Sequence, residues 1–438
     1  MNSHPKLTEI PAFNAYMGQG WGTPDRTPPV VAGAPEAAAA HRARLAAALP
    51  GVDVTVAAGH APIRSNDTAY DFRPDSDFYW LTGCPVEGGV VVMRGGDATL
   101  YLPPPAYPGE PGFFSDVMHG ELWVGAAPGL DDWSATLGIE VRPLDEAPSV
   151  ENPEELRRVL AELRMIKDDW EIGRLREAVD RTVEGFAAVL AEIPAAVEGR
   201  GERWLQGTFD RHARTYGNGP GYAGIVGSGA HAPTLHWVRC DGPVLPDELL
   251  LLDLGVEVRS FYTADVTRTF PASGRFSPAQ RQVHDLVERS HRAALAQVAP
   301  GRRFSDFHHA AMEVIAQGLH DWGLLPVSVD EALSDHGQHH RRYLVCGIGH
   351  HLGLDVHDCA ASRPEAYHDA LMAPGMVLTV EPGLYFHAHD LTVPPELRGI
   401  GVRIEDDLVV TEDGAEVLSA ELPLDADGLE RWMPHQAM

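Results

Sequence analysis

The sequence predicts a two-domain protein in which a smaller α/β domain precedes a larger α+β domain. Three observations support this prediction. The 438 residues exceed what one ordinary hydrophobic core holds. Short apolar runs alternate with turn residues over about 52–145, and two amphipathic helices follow them. Beyond those helices, apolar strands and further helices continue to about residue 419.

Composition excludes several classes of protein. A net charge of −29 argues against nucleic-acid partners, which need a basic surface. No apolar run approaches the roughly 20 residues of a membrane span, and the first 22 residues lack the apolar core of a signal peptide. Four scattered cysteines without CxxC spacing argue against a disulfide framework or a zinc ribbon. We therefore expect a cytoplasmic protein without membrane partners.

The first third of the chain is expected to contain an arm and a domain. Residues 1–33 are rich in Pro and Gly and predict an irregular N-terminal arm. Residues 34–165 predict the α/β domain, whose first helix has Pro35 early and Gly51 as its C-cap. The sequence MRGGD predicts a β-hairpin, because two glycines supply positive φ. The later stretch GLDDWSATLG predicts a helix.

The second domain is expected to span residues 166–438. Dense Glu and Arg with apolar positions at helical spacing predict two long helices, and the break near Met165 marks the domain boundary. A helix at 204–216, a strand pair at 248–270, helices at 278–298 and 304–323, and strands over 341–419 follow. This order predicts helices around antiparallel strands.

Two aspartates lie within the predicted strand pair. Asp253 and Asp265 are twelve positions apart around a turn near residue 259, so the spacing predicts that they lie opposite each other on one face. Like charges in such a pair are destabilising unless a cation lies between them. The run LLLLDLG is apolar on both faces and predicts burial, which favours metal ligation over the alternative of a solvent-facing edge hairpin.

Two glutamates occur inside other apolar strands. Glu381 follows MVLTV, and Glu405 lies in GVRIEDDLVV, twenty-four positions later and therefore of the same strand parity. Arg403 shares the face of Glu405. It is either a structural ion-pair partner of Glu405 or a residue that contacts a metal ligand without binding the metal itself.

The segment GIGHHLGLDVHD supplies three histidines in eight positions, with glycines that permit close backbone approach. We predict that His350 is a ligand, that His357 contacts substrate or a ligand, and that His351 is structural. Four carboxylates and one imidazole carry about four negative charges, which match two divalent cations in a dinuclear centre. Oxygen-dominated ligands favour Mn²⁺, with Co²⁺ or Zn²⁺ as alternatives.

The motifs LDLG, TADVTRTF, GIGHHLGLDVHD, TVEPGLYF and GVRIEDDLVV, in this order, closely resemble the pita-bread metallopeptidases of the aminopeptidase P and prolidase group. Upstream, FRPDSDFYWLTG is similar to the N-terminal domain of aminopeptidase P, and GIVGSGAHAPTLHW to its substrate-site strand. The resemblance spans about residues 35–415. It implies a C-terminal pita-bread catalytic domain preceded by a creatinase-like N-terminal domain.

The resemblance also implies a chemistry, namely hydrolysis of the bond between an N-terminal residue and a following proline by a dinuclear metal-bound hydroxide. It implies Glu381 as general base and His357 and His236 as contacts to the scissile carbonyl and substrate. Such relatives are usually manganese-dependent dimers or tetramers, so a homo-oligomer is expected. The implied metal ligands are Asp253, Asp265, His350, Glu381 and Glu405.

One departure leaves alternatives open. Relatives commonly carry His where this chain has Cys346, at the substrate pocket, which leaves the metal ligands intact but bears on substrate length. An Xaa-Pro dipeptidase (prolidase) is therefore the first alternative. The second is a non-catalytic pita-bread binding protein, although such proteins typically lack several ligands. An enzyme of creatine-type substrates on the same fold does not need these ligands.

Overall fold

The structure is a computed structural model that describes residues 5–150 and 153–433. The chain divides into two compact units, 1–163 and 164–438. The division lies two residues before the domain boundary predicted between 165 and 166. None of the helices in the described ranges is both long and apolar enough to cross a membrane.

Over its described residues, 5–150 and 153–163, the first unit combines a mixed sheet with six α-helices. The sheet order is β1-β4-β5-β6, in which β5 and β6 run parallel and the other neighbours antiparallel. The strands are β1 (Val54–Ala57), β2 (Ile63–Ser65), β3 (Thr68–Ala69), β4 (Val90–Arg94), β5 (Asp97–Leu102) and β6 (Glu140–Pro143). The helices are α1 (Pro11–Met17), α2 (Ala34–Ala48), α3 (Ser76–Thr82), α4 (Glu121–Val124), α5 (Leu130–Leu137) and α6 (Glu154–Arg164), which ends at the boundary.

Local sequence signals explain much of this unit. The β4–β5 hairpin turns at Gly95 and Gly96, whose φ values are 57° and 96°, as MRGGD predicts. Helix α2 has Pro35 in its first turn, and α5 ends at Gly138 in the left-handed region. The arm is less irregular than its composition suggests. Pro11 begins the helix α1, and Phe13 packs edge-to-face on Phe114 with ring centroids 5.4 Å apart.

As far as residue 433, the second unit contains eight further α-helices and ten short strands. The helices are α7 (Asp169–Ala191), α8 (Ile193–Ala195), α9 (Gly201–Tyr216), α10 (Pro278–Leu295), α11 (Phe304–Asp321), α12 (Val329–Leu333), α13 (Pro364–Tyr367) and α14 (Ala426–Trp432). The strands are β7 (Gly219–Pro220), β8 (Ile225–Ser228), β9 (Leu249–Leu254), β10 (Val256–Glu257), β11 (Val266–Pro271), β12 (Val377–Val380), β13 (Gly383–Tyr385), β14 (Gly401–Arg403), β15 (Asp406–Val410) and β16 (Ala415–Val417).

The strands of the second unit pair antiparallel, as predicted. One sheet has the order β11-β9-β8 and another β12-β15-β16, and a bridge between Thr267 and Glu405 connects them. Helices α10 and α11 pack side by side and share an apolar core with β13 and β14. Their approach is close, because a Cβ on Gly318 would lie 2.3 Å from a methyl group of Leu286. The same core includes Leu249 at the start of β9.

The register of the β9–β11 hairpin corrects one prediction. Thr267, not Asp265, lies opposite Asp253, and the bridge between Glu257 and Thr263 continues the same register. The turn is therefore centred on residue 260 rather than 259. Phe261 adopts a left-handed conformation (φ 64°) there, and its N–H donates to Val258 O at 2.8 Å. Asp265 still shares the face of Asp253, but diagonally.

Candidate metal centre and the loops beside it

Four side chains form one row across neighbouring strands. Thr267 pairs with Asp253 on one side and bridges to Glu405 on the other. Val380 pairs with Asp406, and continuing this antiparallel register by one residue sets Glu381 opposite Glu405. Because opposite residues share a face, three acids from distant parts of the sequence converge on one side of the connected sheets.

Asp265 joins this row through a tyrosine. The hydroxyl of Tyr222 lies 2.7 Å from Oδ1 of Asp253 and 2.6 Å from Oδ1 of Asp265. Burial raises the pKa of Tyr222 well above its usual value, and the two aspartates add to this effect. The hydroxyl therefore keeps its proton, lies between the two carboxylates and donates to one of them at a time. Tyr222 was not predicted from the sequence.

His350 completes the cluster from a loop beside β12. Its N–H donates to Oγ1 of Thr379 at 3.2 Å, and its carbonyl accepts from Thr379 N–H at 2.9 Å. The ring Nε2 lies 3.3 Å from Oδ2 of Asp265 and 3.5 Å from Oε1 of Glu381. Close approach of this loop requires Gly349, because a Cβ there would lie 2.3 Å from Thr379 O. The glycines next to the histidines thus have a steric role.

The acids of the cluster are buried close to one another, and this changes the pKa values of the group. Burial raises the pKa of Glu381 to about 7, and neighbouring carboxylates contribute to the rise. Burial, followed by the charge of Asp265, likewise raises the pKa of Glu405 well above its usual value. Burial opposes protonation of His350, yet Asp265 and Glu381 together raise its pKa to about 9. The cluster therefore favours added positive charge.

Arg403 is buried behind the row but does not hydrogen-bond Glu405. Its guanidinium donates to Oδ2 of Asp253, to the Tyr385 hydroxyl at 2.9 Å and to Oγ1 of Thr267 at 3.2 Å. Arg403 thus pairs with Asp253, and the alternative of an Arg403–Glu405 ion pair is wrong. Side chains two apart on a strand share a face, but the arginine reaches across to the neighbouring strand instead.

The donor set fits divalent cations. One ligand atom from each of Asp265, His350 and Glu405 lies within 4.8 Å of the others. Oε1 of Glu405 is buried without a hydrogen-bond partner, and its Oε2 accepts from Thr267. An unpaired buried carboxylate oxygen is expensive unless a cation occupies its free side. Asp253 and Glu381 would extend this set into the five-residue site that the sequence predicts.

His357 lies at the end of an anchored loop. Its ring meets that of His350 edge-to-face, with centroids 4.4 Å apart. The next residue, Asp358, is buried and accepts from Lys167 Nζ at 2.9 Å and from Arg164. Despite burial, these two cations hold the pKa of Asp358 well below its usual range. The two ion pairs of Asp358 thus fix the loop next to His357, and His357 itself is exposed.

His236 and Cys346 lie near the same cluster. Burial lowers the pKa of His357, and the charges of His350 and His236 lower it further, so His236 is within electrostatic reach. Burial and then the charge of Glu381 raise the pKa of the Cys346 thiol. His236 is exposed and Cys346 half-buried. His351 is buried against Phe304, with ring centroids 4.9 Å apart, as a structural residue would be.

Three further groups near the site were missed by sequence reasoning. Tyr222 lies in a Gly-rich segment without periodicity, and Thr267 gave no signal beside the charged residues. Glu202, at the start of α9, carried only the helix-start pattern. The role of each follows from its contacts with residues far away in the sequence. The periodicity of strands and helices gives no information about such contacts.

Comparisons with known proteins agree with this geometry. Residues 38–157 match the aminopeptidase P N-terminal domain. Xaa-Pro aminopeptidase 2 of Streptomyces coelicolor is 45% identical over 96% of both chains. Xaa-Pro aminopeptidase of Escherichia coli is 31% identical over 88% of this chain and 94% of its own.

Solved structures show the same resemblance. The structure of Pseudomonas aeruginosa aminopeptidase PepP superposes with a TM-score of 0.79 at 30% identity, covering 91% of this chain and 98% of that one. Aminopeptidase P from E. coli with the inhibitor Pro-Leu gives a TM-score of 0.81 at 28% identity and the same coverage. These neighbours confirm the predicted pita-bread fold with its smaller N-terminal domain. Residues 173–412 match metallopeptidase family M24, and the chain belongs to this family.

Proposed function

We propose that this protein is an Xaa-Pro aminopeptidase, a metal-dependent hydrolase that removes the N-terminal residue from peptides with proline in second position. One observation carries this proposal. The five predicted ligands come from separate segments and converge on one face of the second unit, in a chain that is 45% identical over 96% of its length to an Xaa-Pro aminopeptidase. We assign catalysis to 166–438 and the N-terminal domain to 34–165.

Two divalent cations held by Asp253, Asp265, His350, Glu381 and Glu405 would supply an activated water near neutral pH. Among these residues Glu381 is the best placed to act as base. Its side chain is 20% exposed, against 10% for Asp253 and 8% for Asp265. A carboxylate that meets entering water can accept a proton from it, whereas Glu405, at 1% exposure, cannot.

The same carboxyl group serves the leaving amine. The proline nitrogen of an Xaa-Pro bond has no N–H in the peptide, so it must gain a proton before it departs. Glu381 returns to this nitrogen the proton that it took from water, which leaves the residue ready for the next cycle. His357 and His236 contact the scissile carbonyl oxygen and the substrate from the exposed loops. Because His357 has a lowered pKa, it is neutral at pH 7 and donates a ring N–H.

Three finer assignments complete the proposal. Manganese is the metal that the oxygen-rich donor set favours. A homo-oligomer, dimer or tetramer, is supported by exposed apolar side chains on the first unit, including Trp123 at 59% and Met118 at 57% exposure. We also propose a cytoplasmic location. Sedimentation and cell fractionation test the last two.

An Xaa-Pro dipeptidase is the second candidate. The observation that favours it is Cys346, which stands where aminopeptidase P relatives commonly carry a substrate-pocket His. The match of 38–157 to the aminopeptidase P N-terminal domain favours the aminopeptidase. The deciding experiment compares an Xaa-Pro dipeptide with an Xaa-Pro-Yaa tripeptide in enzyme loaded with Mn²⁺, Co²⁺ or Zn²⁺. We expect the tripeptide to be cleaved faster and Mn²⁺ to give the highest rate. Preferential dipeptide cleavage under every metal would make the protein a prolidase.

A further inference from the structure

The loop that carries His236 is wrapped around one buried carboxylate. This loop, residues 229–242, follows β8, and Glu202 in the first turn of α9 is 0% exposed at its centre. Oε1 of Glu202 accepts hydrogen bonds from Ser228 N and His231 Nδ1, each at 2.8 Å. Oε2 accepts from Trp237 Nε1 and Gly242 N, again each at 2.8 Å. All four hydrogen bonds have near-ideal length.

The four donors are distributed along the whole loop. Ser228 precedes it, His231 lies near its beginning, and Gly242 closes it. Trp237 directly follows His236, so the hydrogen bond from its indole N–H fixes the residue next to the proposed substrate contact. This indole also lies between two other side chains of the loop, His231 at 3.8 Å and Arg239 at 4.2 Å between ring or guanidinium centres. Glu202 thus connects the start, middle and end of one loop.

The loop also packs against strand β14, which carries Arg403. A Cβ on Gly401 in β14 would lie 2.3 Å from Ala232 C, so the loop backbone lies directly on this strand. β14 ends at Arg403, which donates to Asp253. Within the loop, a Cβ on Gly242 would lie 2.3 Å from His231 Cε1 and 3.1 Å from Glu202 Oε2. Glu202 therefore sets where His236 lies relative to the ligands.

We propose that Glu202 is a positioning residue for His236. It touches neither substrate nor ligand. It orders loop 229–242 through its four hydrogen bonds and holds His236 at the site. This inference rests on the proposed function, which assigns His236 to substrate binding. A buried carboxylate with four donors is fully satisfied, and replacing one oxygen by an amide NH₂ removes one of its two acceptors, whichever way the amide is turned.

The test is the Glu202→Gln substitution in full-length, metal-loaded protein. For an Xaa-Pro-Yaa tripeptide, we expect kcat/KM to fall on the order of 10-fold, because His236 no longer lies in one position. In a His236→Ala background the same substitution should lower kcat/KM by less than about 2-fold, since residues that act through one another are not additive. Bound metal per chain should stay at the wild-type value.

Hydrogen exchange gives a readout that does not depend on activity. Faster exchange in Glu202→Gln should be confined to 228–242, with β9 and β15 unchanged. Glu171→Gln is the matched control. Glu171 is equally buried, at 1% exposure, and accepts from the Tyr262 hydroxyl at 2.7 Å, but it lies on α7. It should change neither exchange in 228–242 nor the effect of His236→Ala. Trp237→Phe, which removes one donor, should give a smaller effect with the same non-additivity.

Two results would overturn the inference. One is full additivity of Glu202→Gln with His236→Ala, and the other is faster exchange throughout the second unit, which marks a general loss of stability. A wild-type rate for His236→Ala would instead overturn the assigned role of His236 in the proposed function. Local exchange in 228–242 would then still decide whether Glu202 orders this loop.

Discussion

The row of proposed metal ligands and the two loops beside it are held in different ways. Asp253 lies in a paired strand, and Asp265, Glu381 and Glu405 directly adjoin paired strands, so backbone register sets which acids meet. His236 and His357 lie in loops outside the strands. Each loop is held by hydrogen bonds to one buried carboxylate, Glu202 for the loop of His236 and Asp358 for the loop of His357. Strand pairing therefore sets how the proposed metal ligands meet, whereas side-chain anchors set where the two proposed substrate contacts lie.

The two anchors also differ from each other. Asp358 is held by the cations Lys167 and Arg164, while three of the four donors on Glu202 are neutral backbone or indole N–H groups. An anchor of charged partners is sensitive to loss of one charge, because the remaining ions stay buried. An anchor of neutral donors loses individual hydrogen bonds instead. The following experiments test this comparison, from the largest expected effect to the smallest.

Removing the most exposed acid of the row should have the largest effect on activity. Glu381→Ala should lower kcat for an Xaa-Pro-Yaa tripeptide by at least about 1,000-fold, because the proton transfers lose their carboxylate. The melting temperature of the metal-free protein should not fall, since the substitution relieves crowding among buried acids. Glu416→Ala, at an exposed carboxylate paired with Arg176, is the control and should retain wild-type kcat. Retained turnover in metal-loaded Glu381→Ala would remove Glu381 from the mechanism.

Neutralising the charged anchor should have the largest effect on stability. Asp358→Asn leaves Lys167 and Arg164 buried without their shared carboxylate and should destabilise the protein by about 3–5 kcal/mol. Urea unfolding measures this change. The row should survive, because β9 with β11 and β12 with β15 keep their own ladders. The 351–358 loop adds only single backbone contacts to them, such as Leu352 N to Val377 O and Thr263 N to Gly353 O. A stability within 1 kcal/mol of wild type, on the order of a surface pair, would show that the ion pair is not the anchor.

Acid should act on the same anchor. The pKa of Asp358 is held below its unfolded value near 3.8. Its stabilisation is therefore fully present above pH 3.8 and is lost as pH falls through the depressed folded value. Unfolding free energy measured from pH 6 to 2 should decline below pH 3.8 in the wild type. The decline should be shallower in Asp358→Asn, and equal slopes would contradict the assignment.

The smallest effect is expected at Cys346, where the resemblance leads us to expect His. Cys346 is half-buried near Glu381, and it neither anchors a loop nor belongs to the row. Cys346→His should leave metal content unchanged and shift the ratio of tripeptide to dipeptide kcat/KM by about 2- to 10-fold toward the tripeptide. Cys346→Ser controls for loss of the thiol alone. An unchanged ratio in both variants would exclude Cys346 from substrate selection.

Much of the fold was predictable because its signals are local. The Gly95–Gly96 turn and the start of α2 at Pro35 follow from the conformations that Gly and Pro allow. Parity also grouped Asp253 with Asp265 and Glu381 with Glu405. The exact partner across the hairpin was wrong by two residues, because Phe261 in the turn adopts a conformation that its residue type does not predict.

The sequence by itself determined which five side chains can act as ligands and which of them share a face, because strand periodicity is a local property. Only the tertiary structure decided how those faces meet and how the loops of His236 and His357 are held. Lys167 and Asp358 are 191 residues apart, and Glu202 and Trp237 are 35 apart. Such contacts depend on how the whole domain closes around its core, and no spacing along the chain encodes them.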